Sequence, residues 1–178
     1  MAAAERARAH DLTPAERRAF REQGFFFREA VFAPAELGAL RAAAEAVVQS
    51  AESRVKAGGA RYVIDGNHYV DVRLAGRAAT VQLEHSPGTC TVRVIEPCHG
   101  LDEAFEQLID DPRIVAPMCG LIGSDRVALF TDKLNLKRPG EGSRFRWHQD
   151  SPYWVFDCGH VDRLPRSDGT SIPPAIAR

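Results

Sequence analysis

Long apolar runs are missing from this sequence. No stretch approaches the roughly 18 consecutive apolar residues a helix needs to cross a bilayer, so no membrane span is expected. Charge of one sign is missing too. The 23 basic residues face 24 acidic ones for a net charge of −1. That balance argues against nucleic acid or an anionic membrane surface as the main partner. Cysteine is scarce and scattered. Cys90, Cys98, Cys119 and Cys158 form no C-x-x-C pair and read as buried thiols, not as a disulfide framework. Glu5, Arg6 and Arg8 interrupt the N-terminus before any apolar core of signal-peptide length, so export is not expected and a reducing cytoplasm is the natural home.

What remains is the mix of an ordinary globular protein, with 44% hydrophobic and 26% charged residues. The length fits one domain, or one domain with a helical extension. Thr13-Pro14-Ala15-Glu16 is a capping box with proline at the first helical position. Gly24 closes that short helix, and Phe25-Phe26-Phe27 then reads as a strand. A second start at Pro34-Ala35-Glu36 leads Leu37, Leu40, Ala44, Val47 and Val48 at helical spacing until Gly58-Gly59 breaks the run. Both helices read as scaffold.

The texture then changes. Arg61–Ile64, His68–Leu74, Ala78–Leu83 and Thr91–Ile95 are short runs rich in valine and threonine. Gly66-Asn67, Gly76 and Ser86-Pro87-Gly88 punctuate them, which predicts antiparallel strands. Asp102–Ile109 and Pro112–Ile122 read as short helices closed by Gly123. Arg126–Lys137 reads as a long strand, Arg138–Ser143 as a loop, and Phe145–Asp150 with Tyr153–Phe156 as resumed β pattern. Helices first and strands afterwards predict an α+β chain whose β part is a sandwich or barrel. Residues 166–178 carry two adjacent prolines and no periodicity, and read as a disordered tail.

The sharpest chemical signal lies in Phe145-Arg-Trp-His-Gln-Asp-Ser-Pro-Tyr-Trp154. His148 and Asp150 are two apart, so on a strand both side chains leave the same face. Imidazole nitrogen and carboxylate oxygen together supply two of the three ligands of a 2-His-1-carboxylate triad, which leaves open iron positions for a chelating 2-oxo acid and dioxygen. The bland alternative is a hydrogen-bonded pair at a strand edge. The bare triplet recurs at His160-Val161-Asp162, where Gly159 and a nearby proline favour a surface turn, so by itself it is weak. His68, His85 and His99 lie upstream and read as strand or turn residues.

Context sharpens the signal. Leu12-Thr-Pro-Ala-Glu16, Gly24-Phe25, Phe32-Ala-Pro-Ala-Glu-Leu37, Val92-Arg-Val-Ile-Glu-Pro-Cys-His99, Asp132-Lys-Leu-Asn-Leu-Lys-Arg-Pro-Gly140 and Trp147-His-Gln-Asp150 occur in one order. In that order the chain resembles the phytanoyl-CoA dioxygenase family as far as about Pro165. The resemblance implies a double-stranded β-helix, a jelly roll with iron at one open end, and N-terminal helices packed on it. It implies Fe(II) as cofactor, 2-oxoglutarate as co-substrate and hydroxylation of a small-molecule substrate. By position it implies His148 and Asp150 as metal ligands and as the catalytic pair, and Asn135 and Gln149 as polar contacts to 2-oxoglutarate. Lys133 shares the parity of Asn135 and reads either as a charge near the co-substrate carboxylates or as a solvated strand lysine. Tyr153 and Trp154 are candidates for the substrate-pocket wall, with sandwich core as the alternative.

The family pattern departs after Leu164-Pro165. In the full fold, later strands carry a second histidine ligand and an arginine for the distal carboxylate of 2-oxoglutarate, and no residue after Asp150 supplies that pair in a strand setting. His160 belongs to the first turn of the motif and is a poor substitute. The expectation is therefore the N-terminal part of such a domain over 1–165, an incomplete jelly roll lacking its third ligand, with 166–178 as a disordered or frameshifted tail. A different class of function stays open beside the oxygenase: a non-catalytic jelly-roll fragment acting as a binding or oligomerising module.

Overall fold

The computed structural model of the chain describes residues 9–144. In chain order its elements are α1 (Pro14–Gln23), α2 (Pro34–Ala57), β1 (Arg61–Ile64), β2 (Asn67–Leu74), β3 (Arg77–Leu83), β4 (Val92–Glu96), α3 (Glu103–Ile109), α4 (Pro112–Ile122) and β5 (Leu134–Asn135). The described residues fall into two compact units: 9–29 with Pro112–Val127, and Ala30–Asp111 with Ala128–Arg144.

In the first unit α1 begins at the expected capping box. The Glu16 amide donates to Thr13 Oγ1 at 3.2 Å, and the Thr13 amide donates to the Glu16 carboxylate at 2.8 Å. Two orphan donors of the first turn are thereby satisfied. Gly24 ends the helix in the left-handed region at φ 84°, with its amide on the Phe20 carbonyl at 2.9 Å. Arg17 Nη1 donates to the carbonyl of Gly120 in α4 at 2.7 Å. Leu12 lies against Gly120, where a Cβ would come within 3.0 Å of its Cδ1, so glycine permits this contact.

The second unit is a helix on a sheet. α2 begins after Ala33, whose amide donates to the Glu36 carboxylate at 2.7 Å, and ends at Gly58. Its buried stripe is Ala43, Val47, Val48, Ala51 and Val55. The five strands pair antiparallel in the order β1-β2-β3-β4-β5. Both of the first two hairpins turn over two residues of positive φ, Asp65-Gly66 and Ala75-Gly76, whose twist matches that of the strands they join.

Register gives the sheet two unlike faces. Val70, Val81, Ile95 and Leu134 stand opposite one another on successive strands. The first three are at most 1% exposed, and all pack with the α2 stripe. Leu83 and Val92 pair beyond a bulge on the same face, and Leu101 and Phe105 of the α3 region close the core. Burying each such side chain contributes about 1.5–3 kcal/mol before the entropy of ordering is counted. The other face carries Tyr62, Tyr69, Gln82, Val94 and Asn135 in one cross-strand row.

The α+β expectation therefore holds, with α2 packed on an antiparallel sheet; the facing sheet of a jelly roll is not among the described residues. Two expected strands are corrected. Phe25–Phe27 forms no strand: Phe25 and Phe27 meet edge to face at 5.3 Å, and Phe27 is 83% exposed. Of Arg126–Lys137 only Leu134–Asn135 is strand, opposite Ile95 and Val94, with one further backbone bond from the Leu136 amide to the Arg93 carbonyl. The β pattern expected at Phe145–Asp150 and Tyr153–Phe156, and the tail, lie outside the described residues. Among the described residues no helix is long and apolar enough to cross a membrane.

Candidate functional site

The polar face of the sheet carries two of the candidate residues, Asn135 and Lys133, and an unforeseen cluster. β3 and β4 keep plain alternation until Gln82, which stands opposite Val94; Leu83 then stands opposite Val92. Arg93 is the extra residue of this bulge, and the bulge turns its side chain onto the polar face. There Arg93 Nη1 donates to Asn67 Oδ1 at 3.2 Å and lies 2.9 Å from Nε2 of His85, while Gln82 Nε2 donates to the same Asn67 oxygen at 2.8 Å. A guanidinium only donates, and the same His85 nitrogen lies 3.1 Å from Asn67 Oδ1, so Arg93, His85 and Gln82 converge on one amide oxygen. Arg93 is 3% exposed, so these contacts form in a water-poor setting that strengthens them.

The same cluster reaches the end of the described chain. Arg93 Nη2 donates to the carbonyl of Arg144 at 3.3 Å. Buried Glu84 accepts the amide of Ser143 at 2.9 Å, Lys137 Nζ donates to the Ser143 carbonyl at 3.0 Å, and Thr91 Oγ1 donates to Glu141 at 2.5 Å. The loop leading to the Trp147-His148-Gln149-Asp150 motif is thus pinned to the polar edge of β3 and β4.

Farther along this face, Tyr62 and Tyr69 stack at 5.5 Å, and Asp71 accepts from Tyr62 at 3.0 Å and from Thr80 at 2.9 Å. Glu96 accepts from Thr131 Oγ1 at 2.6 Å and pairs with Lys133 Nζ at 3.0 Å. Asn135 stands opposite Val94 and is exposed. Asn135 and Lys133 therefore do share a face, as their parity predicts, and Lys133 is engaged by Glu96. Such a half-exposed pair is worth about 0–1 kcal/mol, little enough for another anion to compete.

Behind the sheet, on the opposite parity, Asp132 binds Cys98 and His99. Burial pushes the Cys98 thiol up to about 12, with the Asp132 carboxylate adding to it, so the thiol stays protonated and donates to Asp132 at 2.7 Å. Burial alone would raise Asp132; the hydrogen bonds from Cys98 and His99 outweigh it and hold the carboxyl below its usual range.

His148, Gln149, Asp150, Tyr153, Trp154 and His160 lie outside the described residues. Among the described residues no group of three His, Cys, Asp or Glu side chains is placed to hold a metal ion. Of the upstream histidines named above, His68 sits in β2, His85 joins the Arg93 cluster and His99 pairs with Asp132 at 2.6 Å. Sequence reasoning missed Asn67, Gln82 and Arg93. The one available signal was an arginine inside the apolar run Val92-Arg-Val-Ile95, and only the bulge tells which face it takes.

Residues 20–167 match the family described as phytanoyl-CoA dioxygenase (PhyH), and the chain belongs to that family. It is 32% identical over 85 residues to L-proline trans-4-hydroxylase of Streptomyces griseoviridis, covering 48% of this chain and 30% of that protein. It is 33% identical over 91 residues to an ectoine dioxygenase of Streptomyces avermitilis, covering 51% and 29%. A second ectoine dioxygenase, from Streptomyces coelicolor, is 32% identical over 91 residues, covering 51% and 28%. The matched stretch is thus under a third of each relative's length.

Proposed function

We propose that this chain is the front part of an Fe(II)- and 2-oxoglutarate-dependent dioxygenase that hydroxylates a small organic substrate, in the manner the names of its L-proline and ectoine relatives suggest. The observation that carries this reading is the family match running through Trp147-His148-Gln149-Asp150. The donor set supports it. Amides at Asn67, Gln82 and Asn135 and cations at Arg93 and Lys133 gather on one sheet face, and that chemistry suits an anion with two carboxylates.

In this proposal His148 and Asp150 hold the iron from one face of a strand. The bound iron, together with 2-oxoglutarate, supplies the oxygen activation. Asn135 donates its amide N–H to a co-substrate carboxylate oxygen, Gln149 adds a second polar contact, and Lys133 exchanges Glu96 for the incoming anion. Tyr153 and Trp154 wall the substrate pocket and exclude water from the reacting carbon. The Arg93 cluster holds the loop that precedes the ligands in the sequence. Free thiols at Cys90, Cys98 and Cys119 fit a reducing compartment, so we place the protein in the cytoplasm.

Anaerobic Fe(II) binding tests the assignment. His148→Ala and Asp150→Ala are each expected to weaken iron at least about tenfold, the order seen when a metal loses a partner group. With oxygen admitted, a version extended through the later strands should release succinate only when iron and 2-oxoglutarate are both present. Iron binding by the two variants equal to that of the parent chain sinks the proposal. Tight 2-oxoglutarate binding without any metal dependence would favour a non-catalytic binding module instead.

A further inference from the structure

The segment that brings Asn135 into the sheet is held more by side chains than by its ladder. β5 pairs with β4 at only two positions, Ile95↔Leu134 and Val94↔Asn135, and residues 128–133 approach it without regular structure. A slip of one residue would carry Asn135 to the apolar face and Leu134 to the polar one. Two sets of side-chain bonds, one for each parity, oppose that slip. Thr131 and Lys133 both bind Glu96, at 2.6 and 3.0 Å. Asp132, between them and facing the other way, accepts from the Cys98 amide at 2.9 Å, the Cys98 thiol at 2.7 Å, the His99 amide at 2.6 Å and His99 Nδ1 at 2.6 Å. Two of these donors belong to the main chain immediately after β4 and cannot swing away, so they fix where the carboxylate sits along the sheet.

We propose that Asp132 is a positioning residue: its grip on Cys98 and His99 sets the register of residues 131–135 against β4 and thereby aims Asn135 and Lys133 along the polar face. The proposal rests on the reading of Asn135 and Lys133 as co-substrate contacts, while the register device itself can be measured without any ligand.

Amide hydrogen exchange on the full chain reads that register. The Leu136 amide donates to the Arg93 carbonyl at 2.9 Å, so its protection reports on the β4–β5 alignment. In Asp132→Ala, Leu136 is expected to lose about tenfold or more of its protection while the amides of β2 and β3 keep theirs, as befits local opening. Unchanged protection at Leu136, or an equal fall across the whole sheet, overturns the proposal. His99→Ala spares the carboxylate and removes one donor, and it should move the same amide the same way by less; no movement there counts equally against it. The second arm is calorimetric titration of 2-oxoglutarate with Fe(II) present, on the parent chain, Asp132→Ala, Asn135→Ala and the double variant. Action through Asn135 predicts that Asp132→Ala weakens binding about tenfold in the parent and clearly less once Asn135 is gone, the remainder passing through Lys133. Equal losses in both backgrounds overturn it. Should Asn135→Ala alone leave binding untouched, the co-substrate reading falls, and the exchange result still decides the register device.

Discussion

Glu16 serves two partners at once, accepting from the Thr13 amide at 2.8 Å and from Arg28 at 2.6 and 2.9 Å. The Arg28 hydrogen bond is the chief reason its carboxyl titrates at about 2 and not at the ordinary 4.5; burial works the other way and the Thr13 bonds add to the lowering. A carboxyl depressed by folding contributes its stability above the unfolded value and loses it as the pH falls through the folded one. Thermal melts of the parent chain should therefore fall between pH 4.5 and 2, and those of Glu16→Gln should fall less steeply; parallel curves would refute this. Removing the helix cap with Thr13→Ala is expected to cost about 1 kcal/mol in a denaturant titration. Cys98 offers a second check. Its raised thiol should resist iodoacetamide at neutral pH in the native protein, as followed by mass spectrometry, and Asp132→Ala should speed the reaction. At this scale the capping residues were legible because the motif is local. Arg93 was not, since one extra residue in β4 reverses the face that simple alternation would assign to it.

For the elements, what the pattern revealed depended on whether the partner was nearby in sequence. Hairpins β1–β2 and β2–β3 turn on Gly66 and Gly76, and both were readable from the turn residues. The helix α2 was readable too, but its buried stripe was not quite the expected one. Leu37 is 37% exposed, whereas Ala51 is fully buried. Hydrophobicity favours the larger side chain; the helix–sheet contact needs the smaller one, because an alanine lets α2 lie close to β2. Ala51→Leu should consequently destabilise the chain by about 1–3 kcal/mol through overpacking. An urea midpoint unchanged by this substitution would mean the contact is looser than its burial implies. The long strand expected at 126–137 shrank to two residues because a strand needs a neighbour, and neighbours are not written in local sequence. Side-chain bonds from Thr131, Asp132 and Lys133 take over where the ladder stops.

At the level of the whole molecule, the core among the described residues runs from Ala43 to Phe105, and the expected ligands His148 and Asp150 lie outside the described residues. His148→Ala and Asp150→Ala should lose the stabilisation that bound iron gives the parent. Fe(II) at about 100 times its Kd should stabilise the parent by about 2.7 kcal/mol and the variants by far less. Anaerobic melts with and without iron decide the matter, and equal shifts in all three proteins would contradict it. Class and element order could be read from caps, turns and periodicity. The ligand pair could be nominated from H-x-D spacing together with the ordered motifs around it, but the supporting shell of Asn67, Gln82 and His85 could not, because its members are brought together only by strand pairing.

The two-faced sheet has an evolutionary corollary. On β2 the even positions Val70, Val72 and Leu74 face α2, while on β3 the odd ones, Ala79, Val81 and Leu83, do so. On the proposed function, selection acting on abundance and selection acting on ligand choice would therefore fall on interleaved codons. A saturation map of this hairpin should show tolerance flickering from one position to the next, with its phase inverted across Ala75-Gly76. Specificity could then drift along one set of positions while the other stays frozen.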